Sequence, residues 1–195
     1  MNKISLRNLI ENYTPFDKQE AADKLTMLQF IDSFDDVVTR NNVFGHFTVS
    51  AFVINESGTH IVLLRHNIFG KFVYPGGHAD GEYDLLSVAM REVEEETGLV
   101  VEPQNNGEIF TIQCVPIQGH VKNDQYVSPH IHYDVAFLFV AKDSDMDKIR
   151  VLESENSAVE WTEIYETWLD CMPDWFQYVY VKFKKKLKGT SYEED

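Results

Sequence analysis

The chain has 195 residues, 44% of them hydrophobic, and a formal net charge of −15. That length fits one domain with a decorated end, and the apolar content is enough for a real core. The acidic balance excludes nonspecific binding to a nucleic-acid backbone, which needs a basic field, but it does not exclude nucleotides, because a bound cation inverts the local sign. Cys114 and Cys171 have no framework and no metal-type spacing, so they read as two reduced thiols. The start of the chain lacks a signal-peptide core, and no apolar run approaches the roughly 20 residues of a membrane span. A soluble cytoplasmic protein is the expectation.

Residues 1–40 read as helical. Leu6, Leu9 and Ile10 form one short apolar stripe. After Thr14-Pro15 a second helix is predicted, capped by Asp17, with Ala21, Leu25, Leu28 and Ile31 at helical spacing. Asn41-Asn42 and Gly45 punctuate its end. A β-rich run follows over 46–54, then a turn at Asn55–Gly58 and a second strand over 61–65, which together predict a hairpin. Phe72-Val73-Tyr74 is a short strand ending at Pro75-Gly76-Gly77, and a helix is predicted from about Asp84 to Thr97 with Gly98 as its C′ glycine. Further strands are expected at 109–115, 130–140 and 157–162. Helices are expected near 164–169 and from about Asp174 to Leu187. The order predicts an α+β chain, an α/β/α sandwich with a mixed sheet. Its parts are an N-terminal helical extension over 1–45, the main domain over 46–188 and a frayed tail over 189–195.

The run Arg91-Glu92-Val93-Glu94-Glu95-Glu96 is the most informative segment. At about 100° per residue, Glu92, Glu95 and Glu96 share one stripe of the helix. Like charges so placed repel, and the helix has no lysine to interleave with them. A divalent cation is the simplest compensation, and Mg²⁺ takes carboxylate oxygens together with substrate phosphates. Leu86, Ala89, Met90 and Val93 cluster on an adjacent face that predicts burial, and Glu94 points to solvent. The Gly76-Gly77 turn can bring backbone N–H groups close to an anion.

These residues resemble the box of the Nudix hydrolases, Gly-x5-Glu-x7-Arg-Glu-U-x-Glu-Glu-x-Gly-U with U aliphatic. Gly77, Arg91, Glu92, Val93, Glu95, Glu96, Gly98 and Leu99 fall on it. The pattern's first Glu falls on Tyr83, and the neighbouring acid Glu82 is the candidate to brace the loop to Arg91 after a one-residue slip. The resemblance implies hydrolysis of a diphosphate linked to another moiety, with Mg²⁺ or Mn²⁺ as cofactor. It implies that Glu92, Glu95 and Glu96 are metal ligands, that Arg91 orients them, and that a box Glu or a loop Glu serves as general base. Glu155 is the first choice on that loop and Glu153 the second. Gly76 and Gly77 are assigned to the substrate site, with a carbonyl that could add a metal contact, and His78 follows them as a weaker candidate. The substrate is a small diphosphate, a nucleotide by resemblance, with no nucleic-acid polymer and no membrane as partner. A homodimer is compatible with the N-terminal helices.

Two alternatives keep the same fold. One is a silent domain that binds a nucleotide or sugar phosphate; the intact carboxylates count against it. The other is a diphosphate isomerase, which would use a cysteine at the start of the core, where neither Cys114 nor Cys171 stands.

Three other features carry less. His130, His132 and Asp134 alternate and share a strand face. The preferred reading has them lining the substrate side of the sheet or meeting water, and a transition-metal site is the alternative. Of the aromatics Phe69, Phe72, Tyr74, Tyr126 and Tyr133, most belong to the core and one or two touch substrate. The basic run Phe183–Lys188 suits a helix C-terminus.

Overall fold

A computed structural model describes residues 1–66, 71–122, 124–151, 156–165 and 172–189. The N-terminal part forms α1 (Lys3–Asn12) and α2 (Lys18–Ser33). Asn2 and Ser5 close a reciprocal capping box on α1, and the Asp17 carboxylate accepts the Glu20 N–H at 2.8 Å to start α2. The strands are β1 (Gly45–Asn55), β2 (His60–His66), β3 (Phe72–Val73), β4 (Gly76–His78), β5 (Glu102–Pro103), β6 (Thr111–Ile117), β7 (His120–Lys122), β8 (Gln125–Val127), β9 (His130–Ala141) and β10 (Asn156–Glu163). Helix α3 (Leu85–Thr97) follows β4, and α4 (Asp174–Leu187) closes the described chain. Of the helix expected at 164–169, residues 166–169 fall outside the described residues and Ile164 and Tyr165 lie in a turn; all of the expected tail at 189–195 but Gly189 falls outside them too, as do Glu153, Glu155, Phe69 and Cys171.

Eight strands form one mixed sheet. Its spine is β10-β2-β1-β9-β5, with β3 on β2, β4 on β1 and β6 on β9. β1 and β9 run parallel over eleven paired positions, from Gly45↔Ile131 to Asn55↔Ala141, and every other pair is antiparallel. β7 and β8 make a separate hairpin.

Side chains alternate across a strand, so one register decides which helix each residue meets. Val49 pairs with Gly77, whose Cα faces Glu92 of α3. Phe52, of opposite parity, stacks on Phe183 of α4 with ring centroids 4.6 Å apart. Helices α3 and α4 therefore cover opposite faces, which gives the α/β/α layering.

Helix α2 lies along the outer edge of β6. The Asp23 carboxylate accepts the Cys114 N–H at 3.1 Å, so an edge N–H that could template another strand is covered. The burial of α2 departs from the apolar stripe read from the sequence. Leu25 is exposed, as is Ala21, and the inward residues are Glu20, Met27, Phe30 and Ile31. The reason is an internal charge cluster. Glu20 is fully buried; it accepts from the Tyr13 and Thr111 hydroxyls at 2.5 Å each and lies 3.2 Å from the Lys182 ammonium. Lys182 is itself 2% exposed, and Lys186 bonds the Tyr13 hydroxyl and the Phe110 carbonyl. Two lysines of α4 are thus turned inward, whereas helix-end geometry alone would have left them to solvent.

Candidate functional site

Helix α3 starts at Asp84, whose carboxylate accepts the Ser87 N–H at 3.3 Å, and stops at Gly98, where φ is +73°. That positive φ suits glycine, and a Cβ there would also press on the Arg150 side chain. Leu85, Val88, Ala89 and Val93 are buried by the sheet, with Leu86 and Met90 half-buried beside them. Glu96 follows Leu85 by eleven residues, about 20° around the helix, and so falls on this inward stripe. It is 4% exposed. The carboxylate face and the core face overlap at Glu96, where the sequence reading kept them apart.

The local geometry accounts for this burial. Glu96 accepts the Gly76 N–H at 2.9 Å and the side-chain amide of Asn156, on β10, at 3.2 Å. Glu92 lies against Gly77, where an added Cβ would come within 2.5 Å of its carboxylate. At Gly76 an added Cβ would collide with the Val49 carbonyl. The Gly-Gly pair thus lets β4 pass between β1 and two carboxylates. Glu94 and Glu95 are exposed. Arg91 donates to Glu82 at 2.5 Å and lies 3.7 Å from Glu95, and the Glu82 contact is the main cause that holds the guanidinium above its ordinary pKa. Tyr83 packs against the core as a half-buried aromatic.

The loop between β4 and α3 is tied to the N-terminal segment. Arg40 forms a two-pronged ion pair with Asp80 at 2.9 and 2.6 Å, and the Gly81 N–H donates to the Val38 carbonyl at 3.0 Å.

The opposite face of β1, β4 and β9 carries a second cluster. His46 pairs with His132 across the parallel ladder, Thr48 pairs with both Asp134 and His78, and His130 precedes His132 by two. The His46 ring centroid lies 5.1 Å from that of His78, 5.1 Å from His130 and 4.9 Å from His132. Burial first, then the neighbouring rings and Arg40, lowers these imidazoles from the ordinary range: His46 to about 4, His78 to about 3 and His132 to about 2. Asp134 shares this face but is spent on internal bonds, accepting from Thr48 at 2.9 Å, Ser50 at 3.0 Å and Gln113 at 3.1 Å. Burial raises its pKa and those bonds oppose the rise. Among the described residues, one group of three metal-type side chains has its ligand atoms within 4.8 Å of one another, and it is His46, His130 and His132. The carboxylates of Glu92, Glu95 and Glu96 are not gathered so tightly, since Arg91 and the Gly76 N–H draw Glu95 and Glu96 apart.

Sequence reasoning missed Asn156, His46 and Arg40. Asn156 had a local signal, its place beside the acidic loop at 153–155. His46 and Arg40 had none, because only the pairing of distant segments brings them to the site.

A profile of the NUDIX domain matches residues 45–183, most of the chain, and the protein belongs to the Nudix family. Solved structures with the same fold include a Nudix-family hydrolase from Clostridium perfringens (19% identity, TM-score 0.51, covering 73% of this chain and 97% of that one). An Ap4A hydrolase from C. elegans in a binary complex aligns at 15% identity and TM-score 0.52, covering 73% and 98% of the two chains. A MutT protein from Methanosarcina mazei Go1 aligns at 21% and 0.50, covering 74% and 96%. At these identities the likeness speaks for the fold alone. No curated protein sequence matches the chain. Among the described residues no helix is long and apolar enough to cross a membrane.

Proposed function

We propose that the protein is a divalent-metal-dependent pyrophosphohydrolase that cleaves a diphosphate linkage in a small nucleoside diphosphate derivative. The observation that carries this reading is the meeting of Glu92 and Glu96 with the Gly76-Gly77 backbone. Hard carboxylate oxygens beside backbone amides and carbonyls, on a face with no lysine, fit Mg²⁺ or Mn²⁺. Glu92 and Glu96 would hold the ion, with Glu95 swinging from Arg91 to join them. When bound, the metal would neutralise phosphate charge and acidify a water.

The chain's own residues have separable roles in this reading. Gly76 and Gly77 let β4 lie against the two carboxylates, which keeps their backbone groups beside the metal site. The Glu82–Arg91 pair holds the loop to the helix in place of the Glu that Tyr83 displaces from the family pattern. Asn156 fixes one Glu96 oxygen, which orients the other. Glu95 is exposed enough to accept a proton from water, and Glu155 is the other candidate base. His78, two residues past Gly76, turns its ring to the histidine cluster on the other face of β4, so the weaker candidate for the phosphate site is given no part in it. Residues 1–45 act as a helical extension, with residues 46–188 as the catalytic domain.

The test is a panel of nucleoside diphosphate derivatives, including dinucleoside polyphosphates, oxidised nucleotides and ADP-sugars, assayed for phosphate or pyrophosphate release with Mg²⁺ and Mn²⁺. Glu95→Gln and Glu96→Gln run beside the parent. Turnover that needs the metal and collapses in the variants is expected. No turnover on any diphosphate, or variants equal to the parent, would sink the reading.

A further inference from the structure

The histidine cluster has a ligand chemistry that the carboxylate helix lacks. It is built on the most extensively paired part of the sheet, the β1–β9 ladder, with β4 alongside. His46 is 4% exposed, and neither of its ring nitrogens makes a well-formed hydrogen bond among the described residues, although the Asn42 backbone lies close enough to favour its charged form. A buried polar group left so costs about 1–3 kcal/mol, and native structures keep few of them without a reason.

We propose that His46, His130 and His132 form a site for one borderline transition-metal ion of the Zn²⁺ type, distinct from the carboxylate site on α3. Three geometric facts support it. First, one ligand nitrogen from each ring lies within 4.8 Å of the others. Second, the Nε2 atoms of His130 and His132 are 3.1 Å apart. Zn–N bonds of about 2.0–2.1 Å set a tetrahedral edge of about 3.3 Å, so this pair already stands close to ligand spacing. Third, His130 Nδ1 lies 2.9 Å from the Ser128 carbonyl. A carbonyl only accepts, so Nδ1 carries the proton and the Nε2 lone pair of the neutral ring points into the cluster. An outer hydrogen bond of this kind orients and tunes metal-binding histidines.

With His130 in that tautomer, His132 Nε2–H donates to it. Metal entry therefore moves the His132 proton to Nδ1, with no net change in ring charge. His78 flanks the trio, its ring centroid 4.8 Å from that of His132, and is the nearest candidate for a fourth donor. Neutral nitrogen ligands select Zn²⁺ and its neighbours and reject Mg²⁺, which demands oxygen. The two sites thus sort metals by ligand type across the thickness of one sheet.

The test is a zinc titration of the untagged, chelator-treated full chain by calorimetry, with Co²⁺ absorption as a report on tetrahedral nitrogen ligation. The expected result is one ion per chain that excess Mg²⁺ does not displace. His130→Ala and His132→Ala, at partly buried positions, should weaken it by more than about 100-fold, because loss of an outer partner alone weakens such sites by about 10–100-fold. Circular dichroism on both variants and a parallel His46→Gln titration separate ligand loss from unfolding. Glu96→Gln should leave zinc affinity within about twofold. The absence of stoichiometric zinc, affinity unchanged in the folded histidine variants, or zinc lost with Glu96→Gln would each overturn the proposal. None of these readouts needs turnover, so failure here and failure of the hydrolase reading are distinguishable.

Discussion

The two faces of the β1–β4 pair carry two polar clusters made in opposite ways. On the α3 side the groups are the carboxylates of Glu92, Glu95 and Glu96 on one stripe of the helix, and one of them, Glu95, stays in water. On the other side they are imidazoles from three strands, drawn below the ordinary histidine range by burial. A charged cluster can sit where solvent and an arginine relieve its repulsion. A buried cluster must be neutral, and histidine is the ligand that stays neutral cheaply. The chemistry of each face follows from its access to water.

The sharpest way to break this contrast is on the acidic side. Glu96→Gln keeps the shape of the side chain and removes the charge that faces Gly76, so kcat should fall by about 10³-fold, a loss typical of a group that stabilises transition-state charge. A steady-state assay on the best substrate of the panel measures it, and a fall of less than tenfold would move the acidic site off Glu96.

Acid should act on the other face. His46, His78 and His132 have native pKa values below those of the unfolded chain, so unfolding takes up protons as pH drops below about 6.5. Stability is full above that pH and falls as pH falls, with the His46 share fully lost near pH 4. The limit is about 1.4 kcal/mol per pH unit for each histidine, and these rings share neighbours, so a total near 2–3 kcal/mol is expected. Urea melts in chelator from pH 7 to 4.5 read this directly. His132→Gln should remove about a third of the slope, and a flat profile in the parent would mean the rings are not buried.

Gly77→Ala tests the contact between β4 and Glu92. The displaced atoms are the end of a flexible carboxylate, so stability should change little while kcat/KM drops by about tenfold as the acid is turned away. Smallest of all is Glu82→Gln. It breaks a largely exposed pair with Arg91, and a denaturant melt should register no more than about 1 kcal/mol.

What could be read in advance follows the same divide. The acidic helix is contiguous, and its cap at Asp84, its stop at Gly98 and the outward aim of Glu94 are local matters that spacing decides. The bounds of α4, Asp174–Leu187, are equally local. The histidine trio is not. His130 and His132 announce a shared face, but His46 lies more than 80 residues earlier and joins them only through a parallel register that no short pattern encodes. Asp134, which alternation groups with them, is taken by Thr48, Ser50 and Gln113. Helix α2 was misread for a related reason. Its inward face contains a fully buried glutamate, and hydrophobic spacing cannot flag a charge whose partners lie some 160 residues away.

That glutamate bears on where the molecule can be cut. The family match begins at residue 45, beyond both Asp17 and Glu20. A fragment trimmed to the match would keep Lys182 pointing into the interior while discarding the acids that neutralise it. It would also bare the β6 edge that Asp23 covers. The boundary drawn by kinship and the boundary drawn by electrostatics do not coincide, and the second is the one a folding chain obeys.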